Sequence, residues 1–273
     1  MNEVLPARDE SGRRIIRLPE AIFFDVDRCA LDTKKAFDLA VEATSYNTPI
    51  TGVQMHNEYK RAKRERESLN VVGFINSTLS VLPGDYTWKK DIEPNFIELG
   101  REYSDLAMKD ARKIIDFALL GEYHLGMFTY GASSPDRDDQ RWTDAREWQL
   151  AKVAACEAFD DLPVYVCNQR KKGDKISSWH REDGIYLPDE MSLEPGVQTV
   201  VDYGVLIDDK TDSFTGKNDA LFGIRVTPED ENNQLDFQKG DLPIGVAAVY
   251  GMTEALGALK TVISMQRSPA AKH

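Results

Sequence analysis

Four places in this 273-residue chain set carboxylates, a hydroxyl or ammonium groups directly behind an apolar run. Asp25 and Asp27 follow Ala21-Ile22-Phe23-Phe24, and Thr129 follows Leu125-Gly126-Met127-Phe128. Lys171, Lys172 and Lys175 follow Val164-Tyr165-Val166-Cys167, and Asp208-Asp209 follow Val205-Leu206-Ile207. Taken alone, each has an ordinary explanation: a turn carboxylate, a helix cap or a solvated lysine loop. Taken together they are the parts of a phosphoryl-transfer site. Carboxylates from two strands suit a hard cation such as Mg2+, which prefers oxygen ligands. One carboxylate can attack phosphorus and another can move protons on and off the leaving oxygen and water. A hydroxyl and an ammonium can bind the oxygens of the transferring group.

The elements that must position these groups are buried strands. Residues 21–24 form an unbroken apolar run, as expected of a strand covered on both faces of a parallel sheet. Two ionised acids at its end are tolerable only where the strand opens onto a cation or solvent. In open α/β sheets the carboxyl ends of the strands are where ligands bind. Further strands are expected over 123–128, 162–167, 199–207 and 221–226, with helices over 145–159, 176–179 and 253–265. This alternation predicts a parallel α/β sheet. Residues 1–19 read as an irregular lead-in, and the acidic run 228–241 reads as an exposed loop.

Between the first two strands the chain has helical spacing over 34–47, 51–69, 70–82, 94–108 and 110–120. Some 85 helical residues (flanked by residues 33 and 119) are too many for a simple crossover. The expectation is an inserted helical domain over 34–118, with the α/β core made of 1–33 and 119–273. The basic run Lys60–Glu67 within it suits a solvated helix face with charge pairs at helical spacing.

With 34 basic and 46 acidic side chains the net charge is −12, which argues against non-specific affinity for nucleic acid. No apolar run approaches the ~20 residues that span a bilayer, and the N-terminus lacks the apolar core of a signal peptide. Three cysteines without CxxC spacing suit a reducing compartment, so a cytoplasmic protein is expected. His56, His124, His180 and His273 have no metal-ligand spacing, Ser133-Ser134 has no nucleophile-elbow context, and glycine-rich phosphate loops are absent.

These motifs resemble those of the haloacid dehalogenase-like (HAD) hydrolase superfamily over about residues 21–226. Phe23-Phe24-Asp25-Val26-Asp27 and Leu31-Asp32-Thr33 match its first motif, although Arg28 and Cys29 stand where Gly and Thr are usual. Met127-Phe128-Thr129-Tyr130-Gly131 is similar to the second motif, Val205 to Lys210 to the fourth, and the helical insert to the family's α-helical cap. The resemblance implies a three-layer Rossmann-like parallel sheet with a cap. It implies Asp25 as nucleophile, Asp27 as general acid/base and Thr129 as phosphate binder. It puts Asp25, Asp27, Asp208 and Asp209 at the metal, with Asp209 the first choice of the acidic pair. The third motif is one lysine; Lys172, which precedes Gly173 and a short helix, is preferred over Lys175 and Lys171. The function so implied is a Mg2+-dependent phosphatase acting on a small phosphorylated metabolite through an aspartyl-phosphate. A binding domain that has lost activity, and a metal-independent dehalogenase, are the alternatives.

Overall fold

The computed structural model describes residues 8–9, 11–65, 70–103, 105–132, 139–227 and 242–267. The run 228–241, Ser133-Ser134, His273 and the end of the basic run lie outside them. The chain divides into two compact units, Met1–Ala30 with Met108–Tyr130 and Leu162–His273, and Leu31–Ala107 with Gly131–Asp161.

The first unit holds the whole sheet. Its strands are β1 (Arg14–Phe24), β2 (His124–Tyr130), β3 (Val164–Cys167), β4 (His180–Arg181), β5 (Gly184–Tyr186), β6 (Val197–Asp208), β7 (Leu221–Thr227) and β8 (Val246–Tyr250). Six run parallel in the order β3-β2-β1-β6-β7-β8. The carboxyl ends of β3, β2, β1 and β6 therefore lie along one edge, which is where the candidate residues sit.

The sheet is mixed rather than purely parallel. β6 is twelve residues long, and β7 pairs only with its last part, Gly204 to Asp208. The earlier part takes up β5, antiparallel through Ile185↔Val201 and Tyr186↔Val200, and β5 in turn pairs with β4. Gly184 allows this close approach: its φ is +145°, and a Cβ there would meet the Val201 carbonyl oxygen at 2.8 Å.

β1 also starts earlier than the apolar pattern suggests. Residues 14–20, expected to be irregular, pair in register with β6 from Arg14↔Val197 onward. Pro19 itself is skipped in this register, between Leu18↔Val201 and Glu20↔Tyr203, and β2 joins β1 only from Ala21. The charged residues are matched off the sheet: Arg14 with Glu194 at 2.6 Å, and Arg17 with Asp183.

From Ala21 onward β1 is fully buried. Ala21 and Phe23 join Phe128, Tyr165, Val201 and Leu206 in one apolar cluster, closed by Ile176 of α7 (Lys172–Ser177) and by Trp179. Phe128 stacks on Tyr165 with centroids 5.3 Å apart, and Trp179 meets both rings edge-on. Ile22 and Phe24 alternate to the other face. Two helices, α5 (Ala111–Leu120) and α8 (Gly251–Arg267), pack against β2, β7 and β8. Arg267 of α8 forms a two-pronged bond, 3.0 Å on each arm, to Glu20, which is buried on β1.

The second unit is helical: α1 (Thr33–Asn47), α2 (Gly52–Glu65), α3 (Val71–Leu79), a π-turn at Trp88–Ile92, α4 (Glu93–Tyr103) and α6 (Gln140–Ala154). Asp32 caps α1 by accepting from the Lys34 and Lys35 N–H groups at 3.0 Å, satisfying donors that helix geometry leaves free. The Asp32 N–H reaches the Leu106 carbonyl at 2.8 Å, and Leu31 bridges Ala107, so both ends of the first segment are tied together. Trp88, Phe96 and Trp148 pack with centroids 5.5–5.8 Å apart and bring α6 onto the helices of residues 31–107. The helical insert expected over 34–118 thus overlaps a unit that ends at Ala107 in its first segment and includes α6. Among the described residues no helix is long and apolar enough to cross a membrane.

Candidate active site

Asp25 is the first residue past β1, and its N–H is still held by the Ile207 carbonyl of β6 at 2.9 Å. Its carboxylate is buried at 4% exposure. The backbone then turns sharply: the Ala30 N–H bonds the Asp25 carbonyl at 3.1 Å, and Arg28 takes φ +64° within the loop. This is the left-handed region that glycine occupies freely and other side chains enter at a cost. Asp27 and Arg28 are half-buried on the loop, and Cys29 is fully buried.

Lys172, at the start of α7, is the lysine of its cluster that reaches this point. Its side chain is 3% exposed, and Nζ donates to Asp25 Oδ1 and, at 2.6 Å, to Asp208 Oδ2. The Asp208 Oδ1 atom accepts from the Lys210 N–H at 2.8 Å, so both oxygens of Asp208 are engaged. Lys175 instead lies 6.0 Å from the Trp179 ring. Gly173 lets α7 sit against the 214–217 segment, since a Cβ there would meet the Thr215 carbonyl at 2.8 Å. Asp209 is 2% exposed, with Lys210 Nζ at 3.2 Å and Arg28 at 3.6 Å from Oδ2.

A cleft of about 320 Å³ opens onto these groups within the first unit. Asp25, Asp27, Lys172, Asp208 and Asp209 line it, together with Tyr130, Arg170, Lys210, Asp212 and Ser213. No local pattern marks that second set as functional, although each residue is a near neighbour of an expected site residue. Arg170 stacks over the Tyr130 ring at 5.7 Å. Thr129 is fully buried on β2, opposite Val166 of β3, and its Oγ1 has no hydrogen-bond partner.

The electrostatics follow from carboxylates crowded at the cleft, Asp25, Asp208 and Asp209 among them buried. Burial pushes Asp25 well above the usual carboxylate range; Lys172 opposes this, while Asp208, Asp209 and Asp27 add to it. Burial works against the charge of Lys172, but Asp208 and Asp25 outweigh it and hold the ammonium above its ordinary pKa. Burial and Asp208 raise Asp209, against Lys210 and Arg28. Burial, then Asp25, Asp209 and Asp208, raise the Cys29 thiol well above its usual value. His124 is lowered to about 4 by burial, so it is a neutral core residue rather than an acid or base at pH 7.

Donor atoms of Asp25, Cys29 and Asp209 lie within 4.8 Å of one another, all three residues buried. Asp209 Oδ2 is buried, with Lys210 Nζ and Arg28 as its ionic partners. The residues present therefore fit a bound cation.

The loop makes one stability prediction. Arg28→Gly and Arg28→Ala both remove the ionic contact with Asp209, but only glycine relieves the left-handed backbone. The glycine variant should be the more stable by about 1 kcal/mol, measured as the difference between two urea melts. Equal stability would mean that the loop holds no strain.

No protein-family model matches the chain, and no curated protein does. Solved structures match it at low identity. The HAD-hydrolase YfnB from Bacillus subtilis is 16% identical, with a TM-score of 0.46 over 89% of this chain and 99% of that one. CbbY from Rhodobacter sphaeroides in complex with phosphate is 14% identical, TM-score 0.40, over 85% and 93%. Cytosolic 5'-nucleotidase IIIB bound to cytidine is 10% identical, TM-score 0.44, over 90% and 86%. Scores in this range do not carry an argument about chemistry, which rests on the strand ends and the cleft. Over most of its length the chain is similar to HAD-type hydrolases of known structure.

Proposed function

We propose that the chain is a phosphoester hydrolase that transfers the phosphoryl group of a small phosphorylated metabolite to Asp25 and then to water. The observation that carries this is the buried Lys172 ammonium bridging two strand-end carboxylates, Asp25 and Asp208, at the floor of the cleft. A buried ammonium offsets part of the cost of keeping Asp25 ionised, and an ionised Asp25 is what nucleophilic attack needs.

In the first step an Asp25 carboxylate oxygen bonds to phosphorus as the phosphorus–oxygen bond to the leaving alcohol breaks. Asp27, half-buried at the same cleft, gives that oxygen a proton. In the second step Asp27 takes a proton from water, which attacks phosphorus and returns Asp25 as carboxylate. Lys172 neutralises charge on the moving oxygens, whereas Thr129, the hydroxyl expected to bind phosphate, is fully buried and does not line the cleft. Asp208, with both oxygens engaged, acts as the orienter of Lys172. Asp25 and Asp209 are the carboxylates best suited to hold Mg2+, with Asp27 beside them. When bound, Mg2+ supplies charge neutralisation for the phosphate and the nucleophile.

A cleft of this volume is at the small end of ligand sites, in keeping with a metabolite rather than a polymer. The test is phosphate release from a panel of small phosphomonoesters, with Mg2+ and with a chelator. Release that requires Mg2+ is expected. No release from any member would overturn the reading.

A further inference from the structure

Among the described residues three cations line the cleft, Arg170, Lys172 and Lys210, and two of them are committed to carboxylates. Lys172 Nζ is held by Asp25 and Asp208, and Lys210 Nζ lies 3.2 Å from Asp209. Arg170 differs. It is exposed, and among the described residues its guanidinium forms no ion pair with a carboxylate; its partner is the Tyr130 ring, 5.7 Å away.

The backbone fixes where this cation stands. The Lys172 N–H bonds the Arg170 carbonyl at 2.9 Å, so one tight turn past β3 carries both side chains. Lys172 reaches Asp25, directly past β1, whereas Arg170 reaches Tyr130, the last residue of β2. The two cations of the turn therefore serve different strand ends of the same cleft. The attraction of Arg170 to Tyr130 is to the face of the ring, and it steadies the cation without using its N–H donors. A guanidinium keeps its charge at any ordinary pH, and its planar fork has five donors and no acceptor. That fork matches two oxygens of a carboxylate or a phosphate. Any anionic group entering a cleft lined by Asp25, Asp27, Asp208, Asp209 and Asp212 is repelled unless a cation meets it.

We propose that Arg170 is a specificity-determining residue that binds a second anionic group of the substrate, a carboxylate or a phosphate, while the first phosphate lies at Asp25. The substrate class is then a phosphomonoester with two anionic groups, rather than a phosphate on a neutral frame. The inference rests on the reading of Asp25 as the phosphoryl acceptor.

The experiment measures binding first, with compounds that hold no ester to hydrolyse. Propylphosphonate, 4-phosphonobutanoate and propane-1,3-bisphosphonate are titrated calorimetrically into the full chain in Mg2+ buffer. Wild type should bind at least one of the two-anion compounds about tenfold or more tighter than propylphosphonate, and the tighter of the pair tells carboxylate from phosphate. Arg170→Ala should weaken that compound by about 10- to 100-fold, the worth of hydrogen bonds to a charged group, and propylphosphonate by much less. Arg170→Lys, which keeps the charge and loses the fork, should retain an intermediate preference. On the matching phosphate esters the alanine variant should act through KM more than kcat, as lost ground-state binding does. A wild type with no preference, a preference that survives in Arg170→Ala, or equal weakening of all three compounds would overturn the inference. An Arg170-dependent preference in a chain that hydrolyses none of the esters would uphold the anion site and remove the hydrolase reading. Hydrolysis without any preference would do the reverse.

Discussion

Asp25→Asn is expected to abolish turnover, lowering it by at least about 10,000-fold, with the fold retained. The amide cannot attack phosphorus, and no other described carboxylate sits directly past β1 with its backbone held by β6. Retention of the fold follows from the neighbours. Lys172 keeps its 2.6 Å bond to Asp208, and the substitution removes a carboxylate whose own burial is unfavourable. The melt should therefore shift by no more than about 1–2 kcal/mol, the worth of one charge-assisted hydrogen bond partly offset by the lost desolvation cost. Rate and stability are measured on the same preparation, so an inactive protein is not mistaken for an unfolded one. An active Asp25→Asn variant would remove Asp25 from the mechanism.

Lys172→Met should instead cost both rate and stability. The ammonium is buried between two buried carboxylates, and deleting it leaves them facing each other without a cation. Removing one partner of such a group destabilises by about 3–5 kcal/mol. The loss has a pH signature. With Lys172 gone, its lowering of the Asp25 pKa goes too, and burial with Asp208, Asp209 and Asp27 pushes that pKa further up. The folded variant then binds a proton that the unfolded chain releases at the ordinary carboxylate pKa. Stability must fall as pH rises through that window and recover as pH drops. The variant should be more stable near about pH 5 than near about pH 8, until acid titrates the other carboxylates. In the wild type the raised pKa of Lys172 adds stability that is lost only at alkaline pH, as the ammonium titrates. A variant with a flat profile across that range would show that Asp25 is not the group Lys172 stabilises.

Much of this site was legible because burial and charge conflict visibly in a sequence. Phe23-Phe24 cannot end on two acids unless the strand opens there, and the same conflict marks Asp208-Asp209. Lys172 is preferred because it precedes Gly173 and a short helix, and its ammonium lies against Asp25 and Asp208. The half of β1 from Arg14 to Glu20 was not. Its charges are matched by Glu194 and Asp183, far along the chain, and a proline within it argues locally against a strand. The β4–β5 hairpin carried a signal that was missed: Glu182-Asp183-Gly184 is turn chemistry between short extended pieces. The strand Val246–Tyr250, bracketed by Gly245 and Gly251 at positive φ, was missed the same way. Pattern reading put the helix after β2 at 145–159, but α6 runs Gln140–Ala154, capped by Asp139 accepting from the Arg141 N–H at 2.9 Å. What no local pattern could give is the placement of Cys29. Only the turn from Asp25 to Ala30 brings its sulfur beside Asp209, a residue 180 positions later.

The central claim is that Asp25 carries the phosphoryl group, and trapping that intermediate tests it most directly. The enzyme is mixed with its best phosphomonoester, quenched in acid during turnover, reduced with borohydride and mapped by peptide mass spectrometry. An acyl phosphate is reduced to the alcohol, so a phosphorylated Asp25 becomes homoserine at position 25. The account predicts homoserine there, only in the presence of substrate, and nowhere else in the chain. Product formation with Asp25 unmodified, or homoserine at Asp27, Asp208 or Asp209, would contradict it.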